Sequence, residues 1–215
     1  KKNLSKVSDI QNRTIELSLL FYIPASVGLI FASNEIINAL FGYGSFSEKN
    51  IEMTAAALKF FGYGIPAFAL IKVLSNFFFA RNNTKTPFYV SLFRVITNIT
   101  ISLTFFKDLG FIIIPIATSI STWAGVLVYF ILLKQKKSLL IKNYLFKNIL
   151  KIASATILML LFLVYGLDFF KENLDYTNKF KSIYLLFIIS FVATIYLITC
   201  YLLGVLKSKN YKISK

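Results

Sequence analysis

Residues 182–206 read SIYLLFIISFVATIYLITCYLLGVL, twenty-five positions without one charged side chain. An α-helix rises 1.5 Å per residue, so about 20 apolar residues cross the roughly 30 Å hydrocarbon core of a bilayer. This stretch is long enough to span. Its Ile, Val, Phe and Thr residues would favour a strand in water. In lipid, every backbone N–H and C=O must be satisfied within its own segment, and that requirement selects a helix.

The same reading applies to five more apolar runs, at about 15–33, 54–79, 88–106, 110–133 and 149–167. Six transmembrane helices are therefore expected, in an all-α polytopic membrane protein. The composition agrees: 57% of residues are hydrophobic and only 15% charged, where a soluble domain carries about 25% charged residues. A net charge of +15 could suit a nucleic-acid binder. Such a protein gathers its cations on one soluble face with stacking aromatics beside them. Here nearly all the cations lie between the apolar runs and the aromatics inside them, so nucleic acid is not an expected partner. The chain has no His and a single Cys, Cys200, inside the last run. The usual zinc ligand sets, a histidine-based triad and an internal disulfide are all excluded, and no cofactor or metal is expected. The chain opens on Lys1 without a signal peptide and reads as a fragment lacking the N-terminal part of its polypeptide.

Charge along the chain gives an orientation. Sixteen lysines and arginines flank one set of span ends, including Arg81, Lys85 and the cluster from Lys134 to Lys151. The opposite flanks hold five, Lys49, Lys107, Lys171, Lys179 and Lys181, among Glu35, Glu48, Glu52, Asp108, Asp168, Glu172 and Asp175. The positive-inside rule places both ends in the cytoplasm. The segment from Lys134 to Lys151 mixes lysines with Leu139, Tyr144 and Phe146, and reads as lying in the interface against membrane lipids, lysines toward anionic headgroups.

Polar groups at membrane depth point to a site. Pro24 lies in the first helix, and Gly62, Gly64 and Pro66 lie in the second. These are candidate helix breaks of the kind transporters use near their binding sites. Lys59 is close enough to a span end to snorkel, which leaves Lys72 and Arg94 as candidate cavity cations. In the third helix Ser91, Arg94, Asn98 and Ser102 recur at spacings of three and four and share one face. Thr118, Ser121, Thr122 and Gly125 answer from the fourth. Hydrogen bonding between helices explains the Ser and Thr residues, but not a guanidinium. Its fork of donors matches phosphate oxygens, so an anionic substrate carrying phosphate or pyrophosphate is expected. Glu16, at the edge of the first span, is the one acid in any of the six, which argues for a transporter and against an acid/base enzyme.

Three stretches together resemble the MurJ/MviN family of lipid II flippases. The first is Pro24-Ala25-Ser26-Val27-Gly28-Leu29 followed by Leu40-Phe41-Gly42-Tyr43-Gly44-Ser45-Phe46. The second runs from Lys72-Val73-Leu74 through Phe78-Phe79-Ala80-Arg81 to Lys85-Thr86-Pro87. The third, looser, joins Asn98, Gly110, Trp123 and Gly125. Phe79 stands where the family often has Tyr, and Asn83 where it often has Asp. The resemblance implies a member of the MOP exporter superfamily, built as two six-helix lobes around a central cavity plus two extra C-terminal helices. Residues 1–137 would be the last four helices of the second lobe, and residues 138–215 an interfacial basic loop and the two extra helices. It further implies flipping of lipid II, an undecaprenyl-pyrophosphate-linked peptidoglycan precursor, from the cytoplasmic to the periplasmic leaflet of the bacterial inner membrane by alternating access. Lys72, Arg81, Lys85, Thr86 and Pro87 match the family's cytoplasmic-side motif, while its principal cavity arginines would lie upstream of this chain. The two final helices would help form a groove for the lipid tail. Alternatives are a flippase for another lipid-linked polysaccharide or a multidrug exporter of the same superfamily and, more remotely, a membrane-embedded enzyme acting on lipid-linked glycans.

Overall fold

The structure, a computed structural model, describes residues 2–135 and 141–206. Seven α-helices follow one another: α1 (Lys2–Phe31), α2 (Ser33–Phe41), α3 (Glu48–Phe79), α4 (Lys85–Leu109), α5 (Ile113–Gln135), α6 (Asn143–Phe169) and α7 (Lys181–Leu202). Short 3-10 turns occupy Gly110–Ile112 and Lys171–Leu174, and the described residues contain no strand. The boundary expected at residues 137 and 138 lies outside the described residues.

Among the described residues five helical stretches can by length and composition cross a membrane, not the six expected. The difference arises between Lys85 and Gln135, which run as one helical stretch of 51 residues with no intervening loop. A straight helix of that length would reach about 75 Å, far beyond a bilayer. The chain instead folds back at Gly110, whose φ of 59° is in the region open to glycine. The two arms lie antiparallel, so that Arg94 meets Thr122 and Asn98 meets Thr118.

The helices pack in the spatial order α4, α5, α3, α1, α6, α7, with α2 bridging α3 and α7 at one end. That end also holds Gly42–Ser47 and the connection from Phe170 to Phe180. It carries Glu35, Glu48, Glu52 and Asp175, and is called here the acidic end; the basic end holds Arg81, Lys85, Lys134 and Lys142. Two cores result. Ile15, Leu19, Leu74, Phe78, Tyr129 and Leu133 join α1, α3 and α5. Leu20, Ile152, Met159, Leu163, Tyr196 and Cys200 join α1, α6 and α7. Outside the cores large apolar side chains face outward, with Leu103 and Leu202 each 75% exposed, as lipid-facing residues should be. The protein is a multi-pass helical membrane protein.

Neither α1 nor α3 is interrupted. Pro24 lies inside α1, and Gly62, Gly64 and Pro66 inside α3, without ending either helix. A proline in a helix leaves the carbonyl four residues earlier without its N–H partner. For Pro66 that carbonyl is Gly62, and the buried Ser26 hydroxyl of α1 donates to it at 2.7 Å. For Pro24 it is Leu20, and the Tyr196 hydroxyl of α7 donates to it at 2.6 Å. Nearby, Ser119 donates to the Phe60 carbonyl at 2.7 Å and Trp123 Nε1 to that of Tyr63 at 2.9 Å, both from α5. The expected breaks are therefore points where neighbouring helices hydrogen-bond across the bundle. Tyr196→Phe should strip the Leu20 carbonyl of its partner and lower stability by about 1–3 kcal/mol. Thermal unfolding in detergent reads this loss directly.

Candidate functional site

Two surfaces stand out, a polar cavity on the α4–α5 pair and an apolar groove beside α7. Ser91, Arg94, Asn98, Thr118 and Ser121, with Val95 and Ile99, line a cavity of about 310 Å³. Helical spacing puts Ser91, Arg94 and Asn98 on one face of α4, and the hairpin brings Thr118, Ser121 and Thr122 opposite them. Each hydroxyl of α5 is itself anchored one turn back. Thr122 donates to the Thr118 carbonyl at 2.7 Å, Ser121 to the same carbonyl at 3.1 Å, and Thr118 to the Ile114 carbonyl at 2.7 Å. The oxygens thus hold fixed positions, and two of them accept from α4. Arg94 Nη2 donates to Thr122 Oγ1 at 3.1 Å, and Asn98 Nδ2 to Thr118 Oγ1 at 3.0 Å.

Arg94 is half-buried. Its stem runs across Gly125, where a Cβ would come within 2.5 Å of Arg94 Cδ, and its guanidinium lies 5.9 Å from the centre of the Phe68 ring. Its Nε is buried without a hydrogen-bond partner, and among the described residues no carboxylate lies within ion-pair distance of it. Ser102, one turn beyond Asn98, also has a buried hydroxyl without a partner. A cation with spare donors and no counter-charge, in a cavity walled by anchored hydroxyls, is chemically suited to an oxyanion.

The other sequence candidates are placed differently. Lys72 is exposed on α3 and lines neither this cavity nor the apolar groove, so the two cations paired by depth are not brought together. Arg81, Lys85, Thr86 and Pro87 form the basic-end turn into α4. Asn83 holds that turn: its Oδ1 accepts from the Thr86 N–H at 3.1 Å, and its Nδ2 donates to Thr86 Oγ1 at 2.9 Å. Asn and Asp cap helix starts equally well, so Asn83 in place of Asp keeps the device. Pro87, in the first turn of α4, lacks an N–H that would have had no helical partner there.

The apolar groove, of about 380 Å³, is lined by Phe21, Pro24, Gly28 and Leu29 of α1, Met159 of α6, and Val192 and Tyr196 of α7, among others. The last two helices line this groove together with α1, which supplies an equal wall. A Cβ placed at Gly28 would meet nothing within 4 Å, so glycine keeps that wall low.

Two charges are buried within the protein. Glu16 is 1% exposed inside α1, and Arg13 pairs with it. Lys181, counted as a loop lysine, is fully buried at the start of α7. In the connection before it, the Asp175 carboxyl is held below its ordinary value, first by the Thr177 N–H, then by the Thr177 hydroxyl, and also by the charge of Lys181.

A family model described as lipid II flippase MurJ matches residues 1–186. A probable lipid II flippase MurJ from Rickettsia prowazekii is 38% identical over 129 residues, 60% of this chain and 25% of that protein. The lipid II flippase MurJ of Thermosipho africanus is 33% identical over 173 residues, 77% of this chain and 34% of that protein. Among solved structures, a lipid II flippase MurJ in an inward closed conformation superposes with a TM-score of 0.76 at 29% identity, covering 93% of this chain and 40% of that one. The chain thus spans between a quarter and two fifths of the length of these relatives. With most of its length matched by the family model and its helices superposing on a solved member, the chain belongs to the lipid II flippase MurJ family.

Proposed function

We propose that this chain forms part of a transporter, not an enzyme, that flips lipid II between leaflets of the bacterial inner membrane by alternating access, with both of its ends in the cytoplasm. The observation that carries this reading is Arg94, a cation at membrane depth whose buried Nε has no hydrogen-bond partner and which has no counter-charge among the described residues. Such residues are expensive in a bilayer and face a protein interior or a wet path. In this reading Arg94 receives the pyrophosphate as it passes, with Asn98 and Ser102 offering further polar contacts and Lys72 meeting the headgroup near the cytoplasmic face. The groove between α1 and α7 takes the apolar chain of the same substrate. The two sites divide the substrate by polarity, as an amphiphile crossing a membrane requires.

Arg94→Ala should reduce lipid II translocation about tenfold to hundredfold, the value of one or two charged hydrogen bonds, while membrane expression stays normal. Supplying the full-length gene to cells depleted of their own flippase and measuring lipid II at the outer leaflet tests both statements. Failure of the unsubstituted protein to restore translocation, despite normal expression, would sink the assignment. Full activity of the Arg94→Ala protein would remove only Arg94 from the path.

A further inference from the structure

Lys181 is fully buried, yet none of the described carboxylates pairs with it. Its ammonium has three donors, and all three are used: on Asn38 Oδ1 at 3.0 Å, the Gly42 carbonyl at 2.6 Å and the Tyr176 carbonyl at 2.9 Å. The faces of two rings close the remaining sides, Tyr43 at 4.3 Å and Tyr176 at 4.8 Å from Nζ. Neutral oxygens aimed at one point, between aromatic faces, are how proteins bind ammonium ligands.

Each wall of this cage is held by a bond that does not involve the lysine. Asn38 Nδ2 donates to the Leu174 carbonyl at 2.8 Å, which orients the amide oxygen inward. The Tyr176 hydroxyl donates to the Phe46 carbonyl at 3.0 Å, and the Tyr43 hydroxyl meets Ser182 Oγ at 2.8 Å. Gly42 leaves room for the ammonium, since a Cβ there would lie 3.0 Å from Nζ and closer still to Asn38. The acidic pocket formed by Glu35, Glu48, Glu52 and Asp175 shares Asn38 and Tyr176 with the cage, so the surrounding field also favours a cation.

We propose that these groups form a binding site for a primary ammonium, which the protein fills with its own Lys181, and that filling it docks α7 against α2. Its ligands come from α2, the 42–47 turn and the 171–180 connection, while its cation belongs to α7. Occupancy therefore joins the last helix to the rest of the bundle at the acidic end. Because α7 is one wall of the apolar groove, the site sets that wall; this bearing on transport rests on the flippase reading, whereas the ammonium site does not.

The test uses Lys181→Ala in the full-length protein, in detergent, with n-propylammonium, which replaces the atoms removed. The variant should unfold at a lower temperature than the parent. Propylammonium should restore at least half of the loss with saturation, and tetramethylammonium or sodium at equal concentration should not, since neither donates a hydrogen bond. Cys200, fully buried on α7, reports docking: its labelling by a maleimide should accelerate in the variant and slow again with propylammonium. If Lys181→Ala does not fold, Lys181→Met keeps the stem and should still unfold early, and Tyr43→Leu should do so to a smaller degree. No difference between propylammonium and sodium, or a Lys181→Met protein as stable as the parent, would overturn the ammonium site. Restored stability with unchanged Cys200 labelling would overturn the docking of α7. A rescued site in a full-length protein that moves no lipid II would overturn the flippase reading and leave the site standing.

Discussion

Replacing Arg13 with alanine is expected to destabilise the protein by about 3–5 kcal/mol, the usual cost of leaving one member of a buried ion pair alone. Glu16 is 1% exposed and Arg13 22%, so the carboxylate, not the guanidinium, is the group that loses its compensation. Glu16 lies on the α1 face that also carries Asn12 and Leu20, all three at 1% exposure or less. Water could reach it only by opening that packing. Removing both charges should cost far less, because Arg13→Leu with Glu16→Leu replaces the pair by apolar groups needing no partner. Unfolding of Arg13→Leu, Glu16→Leu and the double variant in detergent, set out as a cycle, gives the coupling. A double variant as unstable as Arg13→Ala would show that the charge pair is not what holds this part of α1.

Gly64→Val comes next, with an expected loss of about 2–4 kcal/mol. A Cβ at Gly64 would lie 2.7 Å from Ser119 Oγ and 3.2 Å from Ser119 Cα. The hydroxyl could rotate away, but doing so releases the Phe60 carbonyl that it satisfies. The Cα cannot move without carrying α5 along. Overpacking and a lost buried hydrogen bond therefore add. Gly28→Val is the natural control, since a Cβ there meets nothing within 4 Å, and it should change stability by no more than about 0.5 kcal/mol. Equal losses at the two positions would mean that helix contact is not what Gly64 provides.

Much of this was legible in the sequence because hydropathy and charge act over whole segments. The uncharged run at residues 182–206, the cation asymmetry and the stripe from Ser91 to Ser102 each repeat one signal many times. What was not legible depended on a partner distant in the chain. Pro24 and Pro66 read as breaks because nothing near them in sequence reveals that Tyr196 and Ser26 supply the missing donors. The burial of Glu16 is hidden from sequence because Ser8, Gln11 and Asn12 lower the local hydropathy. Those residues are buried against protein, where polarity says nothing about where a helix starts. Lys181 looked like a loop lysine because its cage is assembled from residues 38–43 and 176, and α2 itself was not anticipated. Lys72 and Arg94 were paired by depth alone, a coordinate that carries no information about direction around a helix.

The hydroxyl and indole contacts on the carbonyls of Phe60, Gly62 and Tyr63 also limit how the bundle can change shape. They fasten α1, α3 and α5 at a single level, and sliding any one of these helices along its axis by one residue, about 1.5 Å, would break its bonds together. Shear within this three-helix slab therefore costs those bonds, whereas pivoting the slab as a unit keeps them. By contrast α4 buries only Pro87 and Val90 and is held chiefly through α5. The helix that carries Arg94 is thus the one whose rotation would disturb the fewest buried side chains.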